Sequence, residues 1–594
     1  MSNSRAAPPR PRGWYKSSDR GQGSGVRGQG QSAELFRAGL GLSPLVSRLL
    51  EARGWRELSA ATEFLYPRLE HTHSPWLMLG MKTAVERTRA ATDRGEAIRI
   101  LGDYDADGTL ATVILRQALT SLGAQVSYRL PERLRDGYGL QTSAIEQAVA
   151  EGVKLAITVD TGIREHTALE RARELGLDVI VTDHHLPGET LPPALAVLNP
   201  HQPGCPYPDK GLCGSGVAFK LAQALLEQGG LIEGAWPPRL RSYLKLVAMA
   251  TIADAVPLVG ENRVLARFGL EGLAQPVNPG LQALLALALP RRPAAVASAD
   301  VAYRIAPRIN AAGRMGAADR VVEMFFAPAA EAAAMAQSLE ALNEQRKALC
   351  AAILAEIEAQ ALPPGPGAVV VHAGAGWHRG VLGIVASRVV ERGGKAALVI
   401  ALEADGEGRM QAHGSGRAPA GMHLHQLLEG CRDLFTRFGG HAQAVGFSLP
   451  AEQLPALRAY LETAGDTSLP VEAENWFDCE LAELTPQVCQ ELRRLEPFGE
   501  GNPEPLFRAR GARLAQAPAI LKERHLKLSL EQDGIRHTAL YWNAPDLAAW
   551  VGLAVGSRLD LSFRVEHTSH PQYGERTQLI VREIFVTAAA GADS

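Results

Sequence analysis

This chain has no closely spaced cysteine pair, no long apolar run and no large excess of either charge, and each absence removes a class of protein. Its cysteines, at positions 205, 213, 350, 431, 479 and 489, form no CxxC pair. Structural zinc is therefore not expected, and so sparse a set fits reduced thiols in a cytoplasmic protein. No stretch of 18 apolar residues occurs and no apolar segment opens the chain, so neither a membrane span nor a secretory signal is expected. The net charge is −3 over 594 residues, which leaves any polyanion binding to local clusters of Arg and Lys. No internal repeat is evident. What is present is 46% hydrophobic residues, enough for roughly three or four domains with real cores. Residues 1–32 are rich in Gly, Ser, Pro and Arg, with Arg5, Arg10, Arg12, Lys16, Arg20 and Arg27 against Asp19 alone. They read as a disordered basic tail, at most a weak, non-specific contact for phosphates.

The most informative segment is Leu101-Gly-Asp-Tyr-Asp-Ala-Asp-Gly108, which follows an apolar run from Ala97. Alternate residues of an extended chain share a face, so Asp103, Asp105 and Asp107 can converge. Converging carboxylates repel, and a divalent cation is their natural counterweight. A helix-loop-helix calcium loop fails here: its twelfth position would be Ile114 rather than Glu, and a strand rather than a helix precedes it. Two further apolar strands end in chemistry, Lys154–Asp160 and Leu177–Asp183, the second followed by His184 and His185. Asp254 lies in or just after a helical stretch. Acids and imidazoles at the ends of successive strands point to one crevice. Carboxylate and imidazole donors suit Mn²⁺ or Mg²⁺ better than structural zinc, and a dinuclear site that activates water against a phosphoryl group follows.

These residues carry a resemblance. Asp-Tyr-Asp-Ala-Asp-Gly, Val-Asp160-Thr-Gly, Asp183-His184-His185 and Asp254-Ala-Val-Pro-Leu resemble the motifs of the DHH phosphoesterase superfamily. Arg308–Arg314, Trp377–Arg388, Gly414–Arg417 and Phe438–Phe447 resemble the RecJ family of single-strand-specific exonucleases within it. The likeness runs from about Leu65 to the C-terminus. It implies two metals, with Asp103 and Asp105 on one, Asp160 bridging, and Asp107, His184 and Asp254 on the other. Many members of the superfamily carry a His where this chain has Leu101, and the RecJ family has an Asp in the place of Asp103 to do that work. The catalytic set would be Asp160, His184 and His185, the last either ligating or donating to phosphate, with Asp183 orienting a ligand. Substrate would be held by Arg314, Arg379, Ser415, Arg417 and His441, the last two on Gly-flanked turns. Arg388 reads as a solvated helix residue, and Trp377 is either a stacking platform or core. Arg133, Arg135 and Tyr138, in a loop through Asp136, could guide a single strand. The implied activity is 5′→3′ hydrolysis of single-stranded DNA to mononucleotides, in repair and recombination, by a monomer whose partners could include a single-strand-binding protein or a helicase.

Patterning gives an α/β architecture. Strands near 97–102, 124–129, 154–159, 177–182 and 195–198 alternate with helices near 109–122, 141–151 and 164–175, predicting a parallel sheet covered on both faces. Helices at 214–228 and 239–253 follow. The expected domains are a DHH catalytic domain with N-terminal helices over 33–319, a connecting helix over 320–362 and a second, α/β DHH-associated domain over 363–465 beginning in a Pro/Gly linker. Residues 466–594 should form an OB-type β-barrel for nucleic acid, from strands near 506–514, 525–531, 536–542, 558–566 and 577–586. Arg508, Arg510, Arg513, Lys522, Arg524 and Lys527 are expected on one basic face of it, with Phe507 or Trp542 stacking bases. Two rivals stand beside this reading. A small-substrate DHH hydrolase, acting on oligoribonucleotides, cyclic dinucleotides or pyrophosphate, would stop after the second lobe. A scaffold that has lost its metals would not need the clustered acids.

Overall fold

The computed structural model describes residues 30–132, 137, 139–231, 236–291, 293–360, 367–463, 476–544, 547, 550, 553–570 and 574–588. The basic tail to Arg27, the loop residues Arg133, Arg135, Asp136 and Tyr138, and the linker to Pro366 lie outside them. Two compact units result. One holds Ser74–Asp254 and Gly269–Val471, the other the described residues up to His73, Ala255–Phe268 and those after Glu472.

The larger unit opens on a parallel sheet, β1 (Ile98–Leu101), β2 (Val126–Arg129), β3 (Leu155–Val159), β4 (Asp178–Thr182) and β5 (Ala196–Leu198), in the order β2-β1-β3-β4-β5. Every residue of β1 and β3 is buried, as largely apolar strands covered on both faces must be. From β1 the chain adds β2 on one side and then returns to add β3 on the other, so a crevice opens at the carboxyl ends of β1 and β3. Helices Ala106–Ser121, Thr142–Ala150, His166–Glu174, Gly214–Gln228 and Pro238–Ala253 lie close to their expected positions.

The connecting helix is shorter than its sequence propensity suggested. Pro328 caps a helix Ala329–Ala359 of 31 residues, and a separate short helix, Asp319–Met324, precedes it. A proline has no N–H to give and is tolerated only at a helix start, so the break falls there. Cys350, Ile353 and Leu354 near its end pack with Trp377, Val381, Leu382 and Val385. The second lobe is a mixed sheet, β6 (Val369–Ala375), β7 (Ala396–Ala404), β8 (Met410–Arg417), β9 (Arg437–His441) and β10 (Ala444–Pro450), ordered β6-β7-β8-β10-β9. Gly414–Arg417 and the start of Phe438–Phe447 were expected as turns and are strands. On β8 the glycines serve close packing: a Cβ on Gly414 would lie 2.1 Å from the Phe447 ring, so the ring can seat only over a bare backbone.

In the other unit, β11 (Phe477–Asp478) leads into β12 (Phe507–Leu521), β13 (His525–Gln532), β14 (Ile535–Tyr541), β15 (Arg558–His570) and β16 (Gly574–Ala588). The order β12-β13-β14-β16-β15 closes through a β12–β15 pairing, with β14 and β16 parallel, an OB-type barrel. The N-terminal helices Gln31–Leu40, Pro44–Ala52 and Leu58–Leu65 were expected with the catalytic domain. Instead Phe36, Leu45, Leu49 and Phe64 share one core with Phe507 and Phe563 of the barrel and with Leu481 and Leu492 from the short helices before it. Amphipathic helices carry no sequence label for the partner that covers them. The basic face expected on the barrel is divided: Arg508 makes a two-pronged pair with Asp478 (2.6 and 2.9 Å), and Arg513 pairs with Glu531 at 2.9 Å. Lys522 and Arg524 sit at the far tip of the β12–β13 hairpin, with Lys527 beside it on β13. At roughly 3.3 Å per residue, Arg508 and Lys522 are about 45 Å apart along the strand. Among the described residues, no helix is long and apolar enough to cross a membrane.

Candidate metal centre

β1 ends at Leu101, and the next residues turn into helix Ala106–Ser121. Asp105 is its N-cap: Oδ1 accepts the N–H groups of Asp107 (2.9 Å) and Gly108 (3.0 Å). The remaining first-turn donor, Ala106 N–H, is taken by Asn310 Oδ1 at 2.8 Å, from helix Ala306–Arg314. Asp107 therefore lies in the first helical turn and not on an extended strand. The three acids stay near one another because the chain bends around them, where the alternation argument had them share one strand face.

Asp160 follows β3 with φ 61°, and Ala255, just after Asp254, has φ 55°. Left-handed backbone at residues with a Cβ costs about 1–3 kcal/mol each and persists where surrounding structure demands it. Here both strained residues aim acids at one point. His184 Nε2 lies 3.2 Å from Asp160 Oδ1, 3.6 Å from Asp254 Oδ2 and 3.9 Å from Asp107 Oδ2. Three groups of donor atoms result, each within 4.8 Å internally: Asp103, Asp105 and Asp160; Asp107, His184 and Asp254; and Asp160, His184 and His185. Asp160 thus belongs to two of the three.

The electrostatics are those of a site built around a cation. Burial, then the charge of Asp107, pushes Asp105 and Asp160 above the ordinary carboxylate range, Asp160 well above it. The same two causes push Asp254 up to about 9. Burial lowers His184. Burial would lower His185 as well, but the hydrogen bond and charge of Asp183 outweigh it and raise the imidazole to about 9. His185 Nδ1 meets Asp183 Oδ1 at 2.8 Å, and Asp183 also accepts the N–H groups of Ile163, His184 and His185. Asp183 thus holds His185 in place. Asp160 Oδ1 and His184 Nε2 are buried and make no hydrogen bond. Two orphaned donor atoms, facing each other in a nest of oxygens, are what Mn²⁺ or Mg²⁺ would satisfy, so the residues fit such ions.

The expected substrate residues fall on four elements. Arg314, at the end of helix Ala306–Arg314, donates to the Gly380 carbonyl (3.1 Å) and so joins the two lobes. Arg308, from the same motif, is taken up by Glu340 of the long helix. Ser415 and Arg417 neighbour each other on β8, Nη1 to Oγ 3.2 Å. Arg379 faces Glu403 at 3.4 Å. His441, exposed at the end of β9, is lowered by burial and then by the charges of Arg164 and His185, which puts the second lobe's imidazole within electrostatic reach of the first lobe's crevice. Trp377 is not a stacking platform: it is 2% exposed and donates to Glu356 at 2.6 Å. Asn310 was missed because its partner is 204 residues away, a distance no local spacing reports.

Family models match three segments of the chain: "DHH family, N-terminal domain" over residues 97–251, "DHHA1 domain" over 366–464 and "RecJ OB domain" over 477–583. The chain is 37% identical over 536 residues to the single-stranded-DNA-specific exonuclease RecJ of Bacillus subtilis, covering 88% of this chain and 65% of that one. It is 37% identical over 525 residues to the protein of the same name from Escherichia coli, covering 83% and 87%. The crystal structure of Thermus thermophilus RecJ with Mn²⁺ superposes with a TM-score of 0.79 at 33% identity, over 94% of this chain and 78% of that one. The same protein with Mg²⁺ gives 0.73 at 31% identity.

Proposed function

The chain belongs to the RecJ family of single-stranded-DNA-specific exonucleases, and on that premise we propose that it is a metal-dependent exonuclease that removes nucleotides from the 5′ end of single-stranded DNA, using two ions per site. The observation that carries this reading is Asp160, which contributes to two donor groups and has a buried oxygen without a hydrogen-bond partner. Bound there, Mn²⁺ or Mg²⁺ would supply a deprotonated water and neutralise charge on the phosphoryl oxygens. Asp103, Asp105 and Asp160 would hold one ion; Asp160, Asp107, His184 and Asp254 would hold the other.

The protein's own groups do the rest. His185, kept protonated by Asp183, donates toward a phosphate oxygen across the crevice. Arg417, Ser415 and His441, with Arg314 and Arg379, hold the terminal phosphates; the guanidinium fork of Arg matches two phosphate oxygens at once. The barrel tracks the strand beyond the site. The cellular setting consistent with this chemistry is DNA repair and recombination in the cytoplasm, by a monomer working beside a single-strand-binding protein or a helicase.

End-labelled single- and double-stranded DNA and RNA, incubated with Mn²⁺, Mg²⁺ or EDTA, test the reading. The expected result is early release of 5′-labelled mononucleotide from single-stranded DNA alone, abolished by EDTA. Early release of 3′ label would overturn the polarity, and cleavage confined to oligoribonucleotides would favour the small-substrate hydrolase.

A further inference from the structure

Helix Gly214–Gln228 begins within the metal centre, and the Cys213 side chain, at the N-cap position, makes no capping hydrogen bond to it. The cap comes from another helix. Asp107 Oδ2 accepts the Gly214 N–H at 2.6 Å, and Asp107 Oδ1 accepts the Ser215 N–H at 2.7 Å. Ser215 Oγ in turn donates to the Asp107 carbonyl at 2.8 Å. Three bonds from two consecutive residues thus fix the carboxylate and the backbone of one acid. Asp107, Gly214 and Ser215 are all buried, Ser215 with no exposed surface.

We infer that Gly214 and Ser215 are positioning residues of the metal centre, an inference that rests on the two-ion reading above. The start of a helix favours negative charge, so two N–H groups there fix the orientation of the Asp107 carboxylate among its neighbouring acids. Each carboxylate oxygen spends one lone pair on an N–H and keeps another for a cation. Gly214 does a second job. A Cβ at that position would lie 2.5 Å from Asp160 Oδ1 and 2.7 Å from its carboxyl carbon. That contact cannot be relieved by a flexible tip, because Asp160 is buried and its backbone is already strained. A side chain at 214 would therefore displace the one acid that belongs to two of the three donor groups. Outer groups that orient ligands typically change metal affinity about 10–100-fold when removed.

Ser215→Ala and Gly214→Ala, each in the full chain, separate this role from a purely structural one. Mn²⁺ binding is followed by calorimetry without DNA, the thermal midpoint is measured in EDTA, and kcat is measured against Mn²⁺ concentration. Ser215→Ala should keep the wild-type midpoint in EDTA, bind one Mn²⁺ about tenfold more weakly, and recover most of kcat at saturating Mn²⁺. Gly214→Ala should also stay folded in EDTA but lose one ion outright, with activity that no Mn²⁺ concentration restores. If both variants bound Mn²⁺ as the wild type does, or lost thermal stability in EDTA while the folded fraction kept wild-type affinity, the positioning role would be overturned. Failure of the wild-type protein itself to bind Mn²⁺ would overturn the metal reading first and this inference with it.

Discussion

The metal centre and the barrel each gather charges of one sign, and they treat those charges in opposite ways. In the centre, Asp107, Asp160 and Asp254 have His184 as their ionic neighbour, and burial drives Asp160 and Asp254 far above the ordinary carboxylate range. On the barrel, Arg508 and Arg513 are each matched by an acid, and Arg510 lies 3.9 Å from Asp478. Buried acids left against one another destabilise a fold unless something outside the chain completes them. Exposed cations matched by acids contribute little to stability and spend part of their attraction before any DNA arrives. A run of like charge is therefore a better sign of a site where the fold leaves it unneutralised than where it is merely dense.

The largest expected effect breaks the first half of that contrast. Asp160→Ala removes the acid that belongs to two donor groups and should lower kcat in Mn²⁺ by more than about a hundredfold, with single-strand binding retained. The variant also loses a desolvated carboxylate facing four others, so its thermal midpoint in EDTA should rise. Turnover above about a hundredth of wild type, measured on 5′-labelled oligonucleotide, would show that Asp160 is not shared.

A smaller effect sharpens the second half. Lys522, Arg524 and Lys527 are exposed and make no ion pair among the described residues. They adjoin Trp542, which is 47% exposed, and the tip is shaped by left-handed Lys522, Glu523 and Asn543. Replacing the three cations by Ala should flatten the slope of log K against log salt by about 2, at about 0.7 per phosphate on a single strand. Replacing Arg508, Arg510 and Arg513 should flatten it by less than about 1, since Asp478 and Glu531 already neutralise them. Fluorescence anisotropy with a long oligonucleotide over a salt series measures both. Equal slopes for the two triple variants would mean that the ion pairs open on binding and that pairing does not separate the two groups.

What the sequence made legible follows from how local each cause is. β1, β3 and β4 are continuous apolar runs ending in acids, and the helices that follow them carry a clear period. The strands β8, β9 and β10 were not legible, because their glycines mimic a turn, while Gly414 and Gly416 in fact make room for packed side chains and Gly440 for the backbone of the neighbouring strand. The acids and imidazoles were legible because their types and positions carry the chemistry. The groups that aim them were not: Asn310 and Ser215 act through a backbone N–H and a carbonyl 204 and 108 residues away. The alliance of the N-terminal helices with the barrel is likewise a property of matched apolar surfaces far apart in sequence. It could not be read from either segment alone.

The smallest expected effect lies in the barrel, at a buried imidazole held by a backbone carbonyl. His537 on β14 is 9% exposed, and its Nε2 meets the Leu481 carbonyl at 3.0 Å. Burial lowers its pKa below the ordinary imidazole value, with the carbonyl bond acting weakly the other way. The sign of the pH effect follows. Above about pH 6.5 the imidazole is neutral in both folded and unfolded chains and the stability is fully present. As pH falls below that value the unfolded chain takes up a proton that the folded chain resists, so stability is lost until the depressed folded pKa is reached. One such group contributes at most about 1.4 kcal/mol per pH unit. His537→Gln keeps an N–H donor for Leu481 and removes the titration, so its thermal midpoint should fall less steeply than wild type between pH 7 and pH 5. A parallel pair of midpoint curves would show that the imidazole is protonated as easily in the barrel as in water, and that its burial carries no electrostatic cost.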